Sequence, residues 1–452
     1  MQTVAASFKD PSGSVFTCEN EFYRSINPVY ETQYNHLLNS GLYDHLCKRK
    51  LFLPFKECAS PIPAPQVWKT IKPIQLARIC YASEWSFDMY KDAARCTLHN
   101  CIEALDFGMV LKDANTFNIQ FYQGKPILID SLSFEKYKEG QHWIAYRQFV
   151  EHFICPLVLM KYNHLSLQKI AITYPNGVPI DVCKSMLPKR ARLNPNVYLH
   201  IILAAKKTKS SKKTTQFSQD KLRTLLKGLL NFVEKITLPK EKTIWDDYYA
   251  HTILGNGYFD EKASVISKML DSIEYKSVVD YGANDGAFSK LLAKKNKEII
   301  AADIDYNCIN RLYQYIKKEK IKNIHPLVLD LTNPTPSFGW AAHERSSIFP
   351  RLQSDVSLCL ALVHHLAIQH NIPLPNILNL FHKQSEYLLI EFVEKTDAKV
   401  QLLLESREDI FDKYSLNDFR NAFNPLYDLL AEKKLEATDR TLFLLKRKNE
   451  MA

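Results

Sequence analysis

Val278-Val-Asp280-Tyr-Gly282-Ala-Asn284-Asp-Gly286 is the stretch on which the reading of this chain turns. Its apolar start predicts a strand ending at Asp280, and Ala287–Ala293 beyond it has helical spacing. Between them, Gly282 and Gly286 let the backbone turn sharply and approach a ligand where a side chain would block it. A strand, a glycine-bearing turn and a helix in that order form a seat for a nucleotide-like ligand.

Outward from that turn, residues 298–302 predict a second strand ending at Asp303 and Asp305, about 20 residues on, where a carboxylate can accept hydrogen bonds from two ribose hydroxyls. Two further strand-like runs follow. Residues 325–329 reach Asp330, and residues 356–363, preceded by Asp355, end at His364 and His365. Helical stretches separate them. This alternation predicts an α/β unit with a parallel sheet wound by right-handed crossovers, its ligands at the carboxyl ends of the strands.

Asp280, Gly282, Asn284, Gly286, Asp303, Asp330 and the strand after Asp355 together resemble the ordered motifs of a class I S-adenosylmethionine-dependent methyltransferase with a Rossmann-like fold. A dinucleotide dehydrogenase fits less well. Its loop must seat a pyrophosphate, and Asn284-Asp285 would bring an acidic group toward it. Further stretches narrow the resemblance. Trp68-Lys-Thr-Ile-Lys-Pro73, Glu84-Trp85-Ser-Phe, Leu111-Lys-Asp-Ala114, residues 127–134, Asp330-Leu-Thr-Asn-Pro334, Gly339-Trp340-Ala, Glu344-Arg345, Val363-His-His-Leu366 and Arg407-Glu-Asp-Ile-Phe411 are similar to a two-part bacterial family, the NoeA-like or nodulation-protein-like methyltransferases. The likeness covers nearly the whole chain. It implies a methyltransferase domain behind an N-terminal domain of undefined role, S-adenosylmethionine as cofactor, and a small-molecule, glycan or lipid-linked acceptor; RNA and protein acceptors stay open.

Methyl transfer is an in-line displacement that chiefly needs alignment and exclusion of water. In such a site Asp280 would face the amino group of the methionine portion, Gly282, Asn284 and Gly286 would form the turn around it, Asp303 would hold the ribose, and Asp330 the adenine amino group. On the acceptor side, His364 or His365 is a candidate general base, since histidine titrates near neutrality. If both lie on a strand, their side chains point oppositely and one at most faces the cleft. Glu391, near the end of a fifth strand at 387–393, is a second candidate. Trp340, Glu344 and Arg345, in the connection after Asp330, are expected to contact a sugar or an anion. No D-N-x-x-F/Y sequence follows residues 356–362, which favours oxygen over nitrogen as the atom methylated.

With 452 residues, 46% of them hydrophobic, the chain can bury substantial cores and is long enough for two domains. No basic segment leads into a long apolar stretch at the N-terminus and no run approaches membrane-spanning length, so a soluble, cytoplasmic protein is expected. Ten cysteines are scattered without C-x-x-C pairs and read as reduced thiols with no metal site. The clearest local source of the +10 charge is Lys206-Lys-Thr-Lys-Ser-Ser-Lys-Lys213, read as a linker. No aromatic residue interrupts it to stack on bases, though nucleic acid is not excluded. The division expected is therefore 1–205, a linker at 206–218, and 219–452, with Gln219–Lys235 an amphipathic helix entering the second domain and Trp245-Asp-Asp-Tyr-Tyr249 a segment able to fold over the ligand.

The first region reads as α+β. Short hairpins are predicted around Cys18 to Glu21 and at 119–129, the latter turning at Gln123-Gly124-Lys125, and helices at 90–107 and 143–162. Asp113 and Asn118, spaced D-x4-N, and Asp130 after an apolar run are similar to a phosphotransferase site, in which the first aspartate serves the acceptor hydroxyl and the other two residues hold magnesium. The pattern is incomplete. No His or Arg directly precedes Asp113, no Gly follows Asp130, only Ser12-Gly13 hints at a phosphate-covering loop, and Lys69 with Glu84 is the candidate lysine–glutamate pair. A degenerate, kinase-like lobe is one reading. Plain turn and strand-end roles for Asp113, Asn118 and Asp130 are another. The competing function is accordingly a magnesium-ATP-dependent phosphotransferase or nucleotide-binding protein with S-adenosylmethionine as regulator, and a third is a non-enzymatic scaffold.

Overall fold

A computed structural model describes residues 2–61, 66–206, 217–239, 257–405 and 407–449. Lys207 to Lys213 and Trp245 to Tyr249, expected as linker and ligand-covering segment, lie outside them. The chain divides into two compact units, Met1–Glu241 with Thr335–Ser346, and Lys242–Pro334 with Ser347–Ala452.

The second unit is built on a seven-stranded sheet. Its strands are β1 (Ser277–Tyr281), β2 (Glu298–Asp303), β3 (Ile324–Val328), β4 (Ser354–Cys359), β5 (Ser385–Val393), β6 (Tyr427–Lys434) and β7 (Arg440–Arg447), in the order β3-β2-β1-β4-β5-β7-β6. The first five are parallel, and β7 inserts antiparallel between β5 and β6. Val278, Val279, Ile299, Val356, Leu358 and Leu388 to Ile390 are all fully or almost fully buried. Continuous apolar runs of this kind suit parallel strands covered on both faces. The covering helices include α1 (Tyr258–Asp271), α2 (Ala287–Ala293), α3 (Tyr306–Glu319) and α4 (Leu374–His382). In α3, Asp305 caps the first turn by accepting from the Asn307 and Cys308 N–H groups, and Ile309, Leu312 and Ile316 recur at helical spacing on the buried face. The reading of the sequence stopped at β5. The closing hairpin ends in β6, an edge strand that carries Asp428, Glu432, Lys433 and Lys434.

The first unit carries a five-stranded antiparallel sheet, in spatial order Gln2–Thr3, Val15–Cys18, Glu21–Ile26, Lys69–Pro73 and Phe55–Cys58. Its first predicted hairpin turns at Glu19 and Asn20, both at positive φ. Below it come the helix Phe87–Ala104, the strand Met109–Leu111, the hairpin Ile119–Tyr122 and Lys125–Leu128, and the strand Phe134–Lys136, which pairs back on Met109–Leu111. Helical turns run from Tyr146 to Tyr162. Two placements differ from expectation. Gln219–Lys235 packs on Phe87–Ala104 and belongs to the first unit, since its apolar face of Leu222, Leu226, Leu229, Phe232 and Val233 is buried there. Thr335–Ser346 also packs within the first unit. All ten cysteines are free. Among the described residues no helix is long and apolar enough to cross a membrane, and no group of three or more His, Cys, Asp or Glu could hold a metal ion.

Candidate active site

The turn between β1 and α2 lies at the carboxyl end of the sheet. Gly282 and Gly286 adopt φ of +76° and +78°, and Asn284 +51°. A Cβ on Gly286 would stand 2.8 Å from Leu312 Cδ1, so helix α3 closes on the turn as well. The turn is tied to β2 by hydrogen bonds from the Gly282 and Ala283 N–H groups to the Ala302 carbonyl, and from the Asn284 N–H to Asp303 Oδ2 at 2.7 Å. Asp303 Oδ1 accepts from the Asp305 N–H at 2.8 Å. The carboxylate is thus fixed from both sides. Burial raises it to about 6 in spite of these donors.

Asp280 is buried at the end of β1, where Ser289 of α2 donates to Oδ2 at 2.7 Å. Burial also pushes Asp280 up to about 6, opposed by the Ser289 donor and reinforced by the charge of Asp303. Asp330, partly buried after β3, accepts at Oδ1 from the Thr332 N–H and hydroxyl and from the Asn333 N–H, so its turn is self-capped. All six residues expected around a cofactor therefore stand at or just beyond the ends of β1, β2 and β3. Asp355 sits at the opposite end, accepting from the Lys276 and Ser277 N–H groups where β1 begins.

The acceptor-side candidates divide. Glu391 is corrected: no part of it is exposed, and its oxygens accept from Lys262 Nζ at 2.6 Å, Tyr258 hydroxyl at 3.0 Å and the Ala361 N–H at 2.6 Å. Arg440, itself bonded to Asp397 at 2.8 Å, lies 3.8 Å away. Burial would raise Glu391, but the charges of Lys262 and Arg440 outweigh it and hold the carboxyl below its ordinary range. It is the anion of a buried ion network and not an open base. Little in the amino-acid pattern warns of these partners. Lys262 occupies the apolar face of α1 with Ile266, Met269 and Leu270, a buried position normally closed to an unpaired lysine.

His364 and His365 are corrected in conformation. They lie in a helical turn after β4 and not at the end of a strand, with their rings 4.3 Å apart. His365 meets the Gln369 side chain at 3.1 Å. His364 is 1% exposed and neither ring nitrogen has a hydrogen-bond partner. Burial, followed by His365 and the positive charges of Arg440, Lys262 and Lys399, holds it well below the usual histidine range, so it is neutral at pH 7. Glu344 and Arg345 lie in the first unit. Within the first unit Glu344 takes Lys9 at 2.7 Å, and the Arg345 guanidinium sits 4.0 Å from the centre of the Phe117 ring; Trp340 remains exposed.

In the first unit Asn118 and Asp130 are linked through Ser133, and Asp113 is near enough for the Asp130 charge to help burial raise its carboxyl. Asn118 Nδ2 donates to Ser133 Oγ at 3.0 Å, Ser133 bonds Asp130, and Asp130 pairs with Arg24 at 2.8 Å. Lys69 and Glu84 do not pair: Lys69 bonds Glu57 at 2.7 Å, and Glu84 accepts from the Tyr81 N–H.

No family model matches the chain. It is 28% identical over 460 residues to nodulation protein NoeA of Rhizobium meliloti (strain 1021), covering 98% of this chain and 96% of that protein. Solved structures it resembles include the N-methyltransferase NodS from Bradyrhizobium japonicum WM9 in complex with S-adenosyl-L-homocysteine, at 14% identity over 43% of this chain and 89% of that one, TM-score 0.33. A SAM-dependent methyltransferase from Aquifex aeolicus is 13% identical over 45% of this chain and all of the other, TM-score 0.32. By sequence the chain is similar to NoeA over nearly its whole length, and by its own strand order its C-terminal unit is a Rossmann-like, mostly parallel sheet closed by an antiparallel hairpin.

Proposed function

We propose that the protein is an S-adenosylmethionine-dependent methyltransferase that transfers a methyl group to an oxygen of a small-molecule, glycan or lipid-linked acceptor. The observation that carries this reading is the β1–α2 turn fixed to Asp303, with Asp280 and Asp330 at the neighbouring strand ends. Two backbone donors orient Asp303, which leaves its outer lone pairs for the two ribose hydroxyls. Asp280 answers the methionine ammonium and Asp330 the adenine amino group. A pocket of carboxylates suits a ligand that carries no phosphate and a positive sulfur. The cofactor supplies the methyl group on that sulfur. The chain's own residues align it, and His364, neutral with neither ring nitrogen hydrogen-bonded, accepts the acceptor hydroxyl's proton.

Calorimetric titration with S-adenosylmethionine and S-adenosylhomocysteine tests the binding half. Saturable binding that Asp303→Ala weakens tenfold or more is expected; no uptake at millimolar ligand overturns the reading. Incubation with methyl-labelled cofactor and a cell extract, fractionated into RNA, protein, lipid and small molecules, names the acceptor. His364→Gln should then lower kcat with little change in cofactor affinity.

A further inference from the structure

The first unit gathers charged groups that methyl transfer does not use. Leu111 pairs with Phe134, and the Lys112 N–H continues the ladder to the Ser133 carbonyl, so the loops holding Asp113 and Asp130 leave the same end of that two-stranded pair. Asn118 reaches the same place through Ser133. Asp113 receives Gln148 at 2.6 Å and Asn115 at 3.1 Å, both on Oδ1, which leaves Oδ2 unengaged. The capping group of the Thr116–Asn118 turn is Asn115, which Asp113 holds through Nδ2, so the Asn118 side chain is not needed for the local turn.

Two cations and a short loop meet this group. Arg24, from the strand Glu21–Ile26, bonds Asp130 through Nη2, while its buried Nε has no partner. Lys112 Nζ lies 3.2 Å from Ser12 Oγ and 3.8 Å from Asp10. The Asp10 to Ser14 loop lies flat on the neighbouring strand, because a Cβ at Gly13 would stand 2.0 Å from the Ser25 carbonyl oxygen. Carboxylates and an amide beside two cations and a close-lying loop are the complement of a polyphosphate carrying a divalent cation. The order of an aspartate, an asparagine five residues on and an aspartate after the next hairpin is the one phosphotransferases use for acceptor and metal.

We propose that this cluster is a second ligand site, binding a magnesium–nucleoside triphosphate, with Asn118 and Asp130 on the metal and Arg24 and Lys112 on the phosphates. Magnesium bound by nucleotides takes one or two protein ligands and completes its shell with phosphate and water. That accounts for the lack of a self-sufficient metal cluster among the described residues. On binding, magnesium displaces Arg24 from Asp130, and the guanidinium, which also lies 3.7 Å from Asp10, turns to the phosphates. This site stands independently of the methyltransferase reading.

The test is calorimetry on the full chain with the β,γ-imido analogue of ATP, with magnesium and with EDTA. Saturable, magnesium-dependent binding is expected, weakened tenfold or more by Asp130→Asn and by Asn118→Ala, with cofactor binding in the other unit unchanged. Asn118→Ala removes a single hydrogen bond to Ser133 and keeps the test available if loss of the Arg24 partner unfolds the loop. Absence of uptake at millimolar analogue by the folded protein overturns the proposal, as does binding that ignores magnesium and both substitutions.

Discussion

Asp280 shows how a candidate site residue works against the stability of its own fold. Its carboxyl is raised to about 6 by burial, whereas in the unfolded chain it titrates near 3.8. Between those two values the unfolded chain releases the proton and the folded one keeps it, so this group's contribution to stability falls as pH rises from about 4 to about 6, then levels off. Asp280→Asn keeps an acceptor for Ser289 and removes the buried charge. The variant should unfold at a higher temperature than the parent at pH 7.5, by the equivalent of about 3 kcal/mol, with little difference at pH 4. The same change should abolish cofactor binding. Thermal unfolding at both pH values decides it, and a variant less stable at pH 7.5 would contradict the account.

At the scale of the element, the two glycines of the β1–α2 turn are not equivalent. Both sit at positive φ, where an alanine costs about 1 kcal/mol in backbone strain. At Gly282 the nearest side-chain atom to an added Cβ is Leu362 Cδ1 at 3.5 Å, an ordinary contact. At Gly286 it is Leu312 Cδ1 at 2.8 Å, and Leu312 is fully buried in the core beneath the sheet. Gly286→Ala should therefore destabilise by roughly 2–4 kcal/mol and Gly282→Ala by about half as much. Urea denaturation of the two variants checks the ranking; equal losses would show that α3 yields at this contact.

Within the second unit as a whole, Lys262, Glu391, Arg440 and Asp397 tie α1, β5, β7 and the start of the helix Ala398–Leu404 into one buried network. Breaking such a network leaves an uncompensated charge, whereas removing both partners does not. Lys262→Met should cost about 3–5 kcal/mol, and Lys262→Met combined with Glu391→Leu distinctly less than the two single changes summed. Recovery will be incomplete because the Ala361 N–H loses its acceptor. A double-mutant cycle followed by denaturant unfolding measures the coupling, and additive losses would count against a shared network.

Local chemistry wrote much of this protein into its sequence. The turn from Gly282 to Gly286, the strands ending at Asp280, Asp303 and Asp330, and the hairpin at Gln123-Gly124 all depend on residues near one another in the chain, where apolar periodicity and backbone preference suffice. Tertiary structure decided the rest. Glu391 is a network anion because Lys262, far away in sequence, packs against it; His364 is a neutral imidazole without a hydrogen-bond partner because a helical turn buries it; Gln219–Lys235 joins the first unit because Phe87–Ala104 offers the complementary apolar face. A side chain's partners across long loops leave no periodic trace, since burial fixes how apolar a position is and not which distant charge will meet it.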